Sequence, residues 1–275
     1  RKPKNAEWAE KPRITERLKH EADGSGYMRE GFTHLFYISS EGGTPTQVTS
    51  EKYNHTSYEW NDNSNGFIFS SNYNEDWEYD FRNSELYSIS YDGTDLKQLT
   101  DRKGPDYGAV LSPDGNLIAY LGYDDKIQTY QTTNLYLMDI NGENKREIKT
   151  NLDRSISSLE WSKDGKRLYF MYDDEGNTKV ASTSLYGNIK NLVDNVGGTT
   201  IGRPYGGGSY SISTKDIIVF TLTSPYHPSD VAINDGKSIK RLTNLNYDLL
   251  DKKDLGKVEE VWYKSSVDGR NIQGW

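Results

Sequence analysis

Residues 161–171, with the sequence WSKDGKRLYFM, decide the fold of this 275-residue chain. The aromatic side chain of Trp161 is followed by a polar turn that closes with Asp164 and Gly165, and then by an apolar segment. Glycine reaches the positive φ angles that tight turns need, and aspartate accepts hydrogen bonds from the turn backbone. The stretch therefore predicts an apolar anchor, a turn and a β-strand, in that order.

The same unit occurs four times at a nearly constant interval. Its anchor residues are Trp60, Leu111, Trp161 and Ile212, and successive anchors are 51, 50 and 51 residues apart. A period of about 40 to 50 residues that holds several short strands is the signature of the blades of a β-propeller. We therefore predict an all-β fold in which the four anchors are core residues between blades.

A second element repeats in step with the first. Leu-Thr pairs close two of the units, at residues 99–100 and 242–243, and Val48-Thr49 closes a shorter one. Residues 148–149 (Ile-Lys) and 192–193 (Leu-Val) occupy the corresponding places in the other two units. Together the two elements predict a partial propeller with four full four-stranded blades and one partial blade.

The predicted boundaries follow from these repeats. An irregular insertion, residues 1–31, precedes a half blade at 32–50, and four full blades follow. We place these blades at residues 51–101, 102–151, 152–195 and 196–244. A connector at 245–257 completes the predicted propeller portion, and residues 258–275 form a hairpin with an apolar face and no partner in the repeat.

The composition excludes several classes of function. The formal net charge is −8, the pI is near 5.2, and charged residues are scattered along the chain. Nucleic acids and anionic membranes attract a clustered basic surface, so neither is an expected partner. The sequence has no cysteine, which excludes disulfides, thiolate zinc sites and a cysteine nucleophile.

No segment of the sequence predicts membrane insertion or export. An apolar run of about 18 residues is needed to cross a bilayer, and the sequence has none. Residues 1–8 (RKPKNAEW) are partly basic but are not followed by an apolar run, so they do not form a signal peptide. We predict a cytoplasmic protein, and export through a signal peptide that has been removed is the alternative.

Three features of the sequence point to one family. The first is the repeated turn and strand, for example SPDG at residues 112–115, which many propellers share, including periplasmic TolB-like proteins. The second is the early segment PRIT (12–15) with ADGSGY (22–27), and the third is the tail VEEVWY (258–263) with DGRNIQGW (268–275). With these features the chain resembles the propeller of the prolyl oligopeptidase family, specifically its acylaminoacyl-peptidase branch.

The resemblance implies a division of labour. Propellers of this family usually have seven blades, cap the active site and admit short or unstructured peptides, while an α/β-hydrolase domain performs acyl transfer. The tail hairpin leads into that domain, so the resemblance implies that the first blades and about 200 to 250 hydrolase residues lie outside this sequence. On this interpretation the chain itself has no catalytic activity and no cofactor, and its partners are its own hydrolase domain and short peptides.

Residues 207–211 (GGSYS) come closest to a catalytic motif. A nucleophile elbow needs a glycine two residues after the serine and a helix beyond it, because the strand-to-helix turn is tight. Here Ser211 occupies the glycine position, and Ile212 begins a predicted strand, so we predict a loop without a nucleophile. The histidines occupy unrelated sequence contexts, and we interpret them as surface or interblade residues: His20, His34, His55 and His227.

Oxygen-rich segments raise the question of a metal site. Residues 61–66 (NDNSNG) resemble a calcium loop, but an EF-hand needs an acid at position one and a glutamate at position twelve. Asn61 and Asn72 occupy those positions, and the segment coincides with the repeat turn. We interpret the acidic residues around 76–80 and 173–175 as solvated loops, with a weak cation site as the alternative. We therefore predict no metal site.

Arg13, Arg17 and Tyr27 are the candidate functional residues. They lie in the insertion that resembles the acylaminoacyl-peptidase branch, and such insertions can reach toward the cavity between the two domains. The planar guanidinium of arginine matches a carboxylate in geometry and charge. We therefore predict that these residues gate peptide substrates, and a solvated charged loop is the alternative.

A free-standing propeller that binds protein or peptide, as TolB-like modules do, is the alternative function. The sheet edges and the entrance of the central tunnel would then supply the binding surface.

Overall fold

The computed structural model describes residues 3–5, 7, 9, 12–61, 65–198 and 207–275. These residues form 22 β-strands and one four-residue helix, α1 (Tyr247–Leu250), so the chain is all-β as predicted. Two short strand pairs come first. They are β1 (Glu21–Ala22) with β2 (Gly26–Tyr27), and β3 (Phe36–Tyr37) with β4 (Thr46–Gln47).

Four antiparallel strand groups follow, which we number as blades 1 to 4. Blade 1 consists of β5 (His55–Trp60), β6 (Gly66–Ser71), β7 (Glu85–Ser90) and β8 (Lys97–Gln98). Blade 2 consists of β9 (Asp106–Leu111), β10 (Leu117–Gly122), β11 (Asn134–Asp139) and β12 (Arg146–Glu147). In both blades the strands pair in sequence order.

Blades 3 and 4 are longer-stranded and joined. Blade 3 consists of β13 (Ile156–Trp161), β14 (Arg167–Asp174), β15 (Asn177–Ser184) and β16 (Ile189–Val196). Blade 4 consists of β17 (Tyr210–Ile212), β18 (Ile218–Ser224), β19 (His227–Asn234) and β20 (Ile239–Arg241). Because β16 runs for eight residues, its last residue, Val196, reaches Leu222 and pairs with it, so the two blades form one eight-stranded sheet.

The core consists of layers between successive blades. In β10, Ile118 and Tyr120 pack with residues of blade 1, whereas Ala119 and Leu121 pack with residues of blade 3. Successive side chains of a strand point to opposite faces of its sheet, so this strand is buried on both sides. The layer between blades 1 and 2 also contains Ile68, and the layer between blades 2 and 3 contains Phe170.

The repeated threonines explain the second sequence element. The hydroxyl oxygen of Thr100 accepts a hydrogen bond from the backbone N–H of Leu86 at 2.8 Å, and that of Thr243 accepts one from Val231 at 2.9 Å. Thr49 accepts one from Leu35 at 3.0 Å. The threonine at the end of the fourth strand thus extends the ladder to the third strand after backbone pairing stops, and satisfies a backbone donor.

A bulge recurs in the first strand of three blades. Ser57, Gly108 and Ser158 have φ angles of 50°, 61° and 54°, and the pairing register shifts around each of them. The extra residue of a bulge redirects the side chain that follows it. These following residues are Tyr58 and Leu159 in blades 1 and 3, which makes them structurally equivalent.

The four repeat anchors differ in burial. Leu111, Trp161 and Ile212 are half-buried and pack against the interblade clusters, and the indole N–H of Trp161 donates to the Val110 carbonyl at 3.0 Å. The prediction of a core position is wrong for Trp60, whose exposed fraction is 42%. Among the described residues the sheet that precedes blade 1 consists of β3 and β4, and the ring of Trp60 is in contact with solvent.

The closing hairpin packs against blades 3 and 4. It consists of β21 (Val261–Lys264) and β22 (Asn271–Gly274), and the ring of Trp275 lies against Gly176 in the turn between β14 and β15. Gln273 donates from its side-chain amide to the carbonyl of Glu175 at 3.2 Å. The backbone N–H of Val258 donates to the hydroxyl of Tyr226 at 3.1 Å.

The hairpin lies at one end of the blades. Because strands alternate in direction, the connections between the second and third strands of all blades lie at the same end, which we call the loop end. It holds residues 72–84, 123–133, 175–176 and 225–226. No helix among the described residues is long and apolar enough to cross a membrane.

Candidate functional site

The predicted gating residues lie in an insertion that folds as a hairpin. β1 and β2 pair antiparallel, and the Met28 N–H donates to the His20 carbonyl at 2.8 Å. The guanidinium of Arg13 lies 4.4 Å from the ring centre of Tyr27. A cation over an aromatic face is attracted by the ring quadrupole, so this pair ties the start of the insertion to the second strand of its hairpin.

Arg17 joins the insertion to blade 1. Its guanidinium carbon lies 4.0 Å from the ring centre of Phe32 and 5.8 Å from that of Trp77. The two rings meet edge to face with their centres 6.1 Å apart. Trp77 belongs to the loop that connects β6 and β7, so this cluster holds the insertion against the loop end of blade 1.

A groove of about 500 Å³ surrounds this cluster. Arg17, Phe32 and Trp77 line it, whereas Arg13 and Tyr27 do not. The structure therefore separates the three predicted residues into a hairpin pair and one groove residue. The remaining ionisable side chains of the groove are Glu16, Lys19, His20, Arg29, Glu30, Lys52 and Glu78.

Sequence reasoning missed the two aromatic residues of the groove. Trp77 lies in the polar stretch 72–80, which gave no strand pattern, and Phe32 lies at the junction of the insertion with the half blade. A large aromatic side chain inside an otherwise polar loop was the available signal, because such a residue rarely stays fully exposed.

A buried histidine lies at the start of the first strand of blade 1. His55 is 4% exposed, and its Nδ1 lies 2.9 Å from the Thr33 carbonyl while its Nε2 lies 2.7 Å from the Tyr73 hydroxyl. The carbonyl requires a proton on Nδ1, so Nε2 of the neutral ring accepts from Tyr73. Burial lowers the pKa of His55, against the opposing effects of the Thr33 carbonyl and Glu51. The ring therefore joins the half blade to blade 1 in its neutral form.

A second buried polar cluster lies between blades 1 and 2. Asp106 is 1% exposed and pairs with the guanidinium of Arg102, which also lies 3.9 Å from the ring centre of Tyr136. A Cβ at position 122 would collide with both charged groups, so Gly122 provides the space for this pair. Burial raises the pKa of the nearby Glu85 to about 7, and one of its oxygens has no hydrogen-bond partner.

The remaining candidates from the sequence are the GGSYS segment, the acidic residues and the calcium-like segment. Ser209 precedes β17, so a strand follows it as predicted, although residues 199–206 lie outside the described part. Asp174 pairs with Lys179 at 2.9 Å and with Arg154 at 3.2 Å. Residues 62–64 of the calcium-like segment are also outside the described part. Within the described part no group of three or more histidine and acidic side chains is arranged to hold a metal ion.

Comparison with protein families identifies one region. Residues 3–126 match the family model of the dipeptidyl peptidase IV (DPP IV) N-terminal region. The probable dipeptidyl-peptidase 5 of Arthroderma benhamiae is 29% identical over 109 residues, which cover 35% of this chain and 15% of that protein. This part of the chain is therefore related to the N-terminal, non-catalytic region of dipeptidyl peptidases, and the aligned segment spans a small share of the relative's length.

Solved structures share the fold. The acylaminoacyl peptidase of Pyrococcus horikoshii has a TM-score of 0.66 at 17% identity, over 95% of this chain and 38% of that one. The putative TolB of Agrobacterium tumefaciens has a TM-score of 0.57 at 18% identity, over 76% of this chain and 73% of that one. These likenesses show that the blades adopt a propeller architecture.

Proposed function

We propose that this chain is the propeller portion of a serine peptidase of the prolyl oligopeptidase type, in the acylaminoacyl-peptidase branch. Its role is to cap an active site carried by an α/β-hydrolase domain of the same polypeptide and to admit oligopeptides by size. The observation that carries the proposal is the match of residues 3–126 to the DPP IV N-terminal region.

The packing of the blades supports a filter of fixed dimensions. Each described layer between successive blades is filled by buried apolar side chains, such as Phe170 and Phe220, which are 0% and 2% exposed. Close-packed interiors have few voids and low compressibility. Blades joined in this way keep a constant separation, so a passage bounded by them excludes a folded protein by its size.

The loop end supports the position of the proposed active site. The closing hairpin packs against the turn after β14, and the groove around Arg17 lies at the same end of blade 1. A domain that follows the hairpin would therefore meet the blades where their longest connections, 72–84 and 123–133, lie. Peptide specificity is disproportionately located on such loops, because a rigid scaffold positions them.

The test is hydrolysis of a peptide length series by the protein purified from its native source. The series consists of N-acetylated peptides of about 5, 10, 20 and 40 residues, all shorter than a typical small domain, and each contains the same cleavable bond. A folded protein that carries this bond in an exposed loop completes the series. The proposal predicts that a serine-directed reagent abolishes cleavage and that cleavage falls steeply with substrate size. Cleavage of the folded protein at the rate of the shortest peptide would contradict the filter.

The likeness to TolB favours a second candidate, a free-standing propeller that binds protein or peptide without cleaving it. In the same length series this candidate predicts that peptides bind and are recovered intact. The serine-directed reagent would then label nothing.

A further inference from the structure

We propose that Arg17 binds the C-terminal carboxylate of an oligopeptide in the groove between the insertion and the loop 72–84. The inference rests on the proposed function for the identity of the ligand as a peptide. It adds the group of the peptide that is recognised and the residue that recognises it.

The two aromatic rings leave the binding edge of Arg17 available. Phe32 contacts the guanidinium over its own ring face, with the guanidinium carbon 4.0 Å from the ring centre, and Trp77 lies at 5.8 Å. Contacts of this kind use the delocalised charge, whereas the N–H donors lie in the guanidinium plane and form a fork that fits a carboxylate. The rings hold the side chain, and within the described part of the chain no hydrogen bond or ion pair uses its N–H donors.

The position of Arg17 in its segment agrees with this role. Arg17 is half-buried, whereas its neighbours in residues 12–20 are all exposed. A half-buried guanidinium is already partly desolvated and held in one orientation, so it loses less entropy and solvation when an anion arrives. Among the described residues no carboxylate lies within 4.0 Å of it.

The groove has the size and charge for the end of a peptide. Its volume of about 500 Å³ falls in the range of sites for small organic ligands. Lys19, Arg29 and Lys52 also line it, beside Glu16, Glu30 and Glu78, and no ion pair within 4.0 Å joins these cations to a carboxylate of the described residues. With Arg17 the cations outnumber the carboxylates by one, and this excess favours an anion at the fork.

The experiment measures binding to the full-length native protein after treatment with a serine-directed reagent, so that no turnover occurs. Two N-acetylated pentapeptides of the same sequence are titrated by calorimetry, one ending in a free carboxylate and one in an amide. A charge-assisted bidentate contact predicts that the carboxylate form binds about tenfold or more tightly. Equal affinity of the two peptides for the wild-type protein would overturn the proposal.

Variants locate the effect at one residue. Arg17→Gln should remove the preference for the carboxylate, and Arg17→Lys should retain only part of it, because lysine has the charge but not the fork. Arg167→Gln is the matched control, since Arg167 contacts the ring of Tyr169 in blade 3, outside the groove, and it should retain the full preference. A full preference in Arg17→Gln would place the site elsewhere. If Arg17→Gln does not fold, the affinities of the carboxylate and amide peptides for the wild-type protein still test the proposal.

The failure of this inference and that of the proposed function are separable. Peptide hydrolysis with equal binding of carboxylate and amide would overturn only the role of Arg17. A carboxylate preference that depends on Arg17, in a protein that no serine-directed reagent labels and that cleaves no peptide, would overturn only the peptidase proposal.

Discussion

Tyr58 of blade 1 and Leu159 of blade 3 occupy the same place after a bulge in the first strand, yet their environments are opposite. Leu159 is 7% exposed and packs in the layer between blades 2 and 3, whereas Tyr58 is 69% exposed. The strand-end anchors differ in the same direction, since Trp161 is half-buried and Trp60 is 42% exposed. In both pairs the backbone is equivalent, and the preceding sheet differs.

The comparison shows that the preceding sheet decides whether a repeat position becomes core. Within the described part of the chain, blade 3 follows a complete four-stranded sheet, and blade 1 follows the two-residue strands β3 and β4. In repeat proteins much of the stability lies in the interfaces between neighbouring units. The same side chain therefore contributes much at a covered face and little at an uncovered one.

The largest expected effect comes from truncating the equivalent pair. Leu159→Ala should lower the free energy of unfolding by about 2 to 5 kcal/mol, because it removes buried methyl groups and leaves a cavity. Tyr58→Ala should lower it by less than about 1 kcal/mol, as expected for an exposed side chain. Urea titration of both variants measures the difference. Similar losses in the two variants would show that the preceding sheet does not decide the contribution of this position.

The next largest effect concerns Glu85, whose carboxyl group is buried between blades 1 and 2. The pKa of Glu85 is about 7 in the folded chain, above the ordinary 4.5, chiefly because of burial and against the opposing hydrogen bond of Thr100. The folded state therefore favours the protonated form. That contribution to stability is complete below pH 4.5 and is lost as the pH rises through 7.

Glu85→Gln should not show this loss. Between pH 4.5 and 8 the free energy of unfolding of the wild type should fall relative to that of the variant, by up to about 3 kcal/mol. Urea titration across this pH range measures the difference. A constant difference between the two proteins would mean that the carboxyl group titrates normally and is not enclosed between blades 1 and 2.

A smaller effect separates the two tryptophan anchors. Trp161→Phe removes the hydrogen bond from the indole N–H to the Val110 carbonyl, which links blades 3 and 2. The cost should be about 0.5 to 1.5 kcal/mol, with a further loss if the carbonyl stays unpaired. Trp60→Phe should change the free energy of unfolding by less than about 0.5 kcal/mol. An equal cost at both positions would contradict the distinction between covered and uncovered faces.

The contact between the half blade and blade 1 should respond to acid. The pKa of His55 is lowered from 6.5 by burial, so the folded state favours the neutral ring. Its contribution is present above pH 6.5 and is lost as the pH falls through the lowered pKa. Hydrogen exchange of the Leu35 and Thr33 amides should therefore accelerate below pH 6.5 relative to amides of blade 3, after correction for intrinsic rates. In His55→Gln the amides of Leu35 and Thr33 should respond to pH like those of blade 3. If their protection relative to blade 3 does not change with pH in the wild type, His55 does not stabilise the contact between the half blade and blade 1.

The repeat made most of the fold predictable. The spacing of Asp-Gly turns and apolar strands located the strands of blades 1 to 4, because their turns need special residues and, in blades 1 to 3, both faces of the middle strands are buried. It did not reveal the exposure of Trp60, which depends on a neighbouring sheet rather than on local sequence. It also did not reveal the bridge between Val196 and Leu222, which follows from strand length alone.

The candidate site was predictable only in part. Arg17 could be selected because arginine in a distinctive insertion suggests recognition of an anion. Its partners Phe32 and Trp77 are separated from it by 15 and 60 residues in the sequence and come together through the packing of the insertion on blade 1. No local pattern encodes such a meeting, and Arg13, in the same insertion, stacks on Tyr27 instead.

The central claim is that this chain caps the active site of a serine peptidase. The most direct measurement is labelling of the protein from its native source with a fluorophosphonate probe, followed by identification of the labelled polypeptide by mass spectrometry. We expect one labelled polypeptide that contains tryptic peptides of this chain, has a mass well above 31.4 kDa and carries the probe on a serine outside the 275 residues. An unlabelled polypeptide of 31.4 kDa would contradict it.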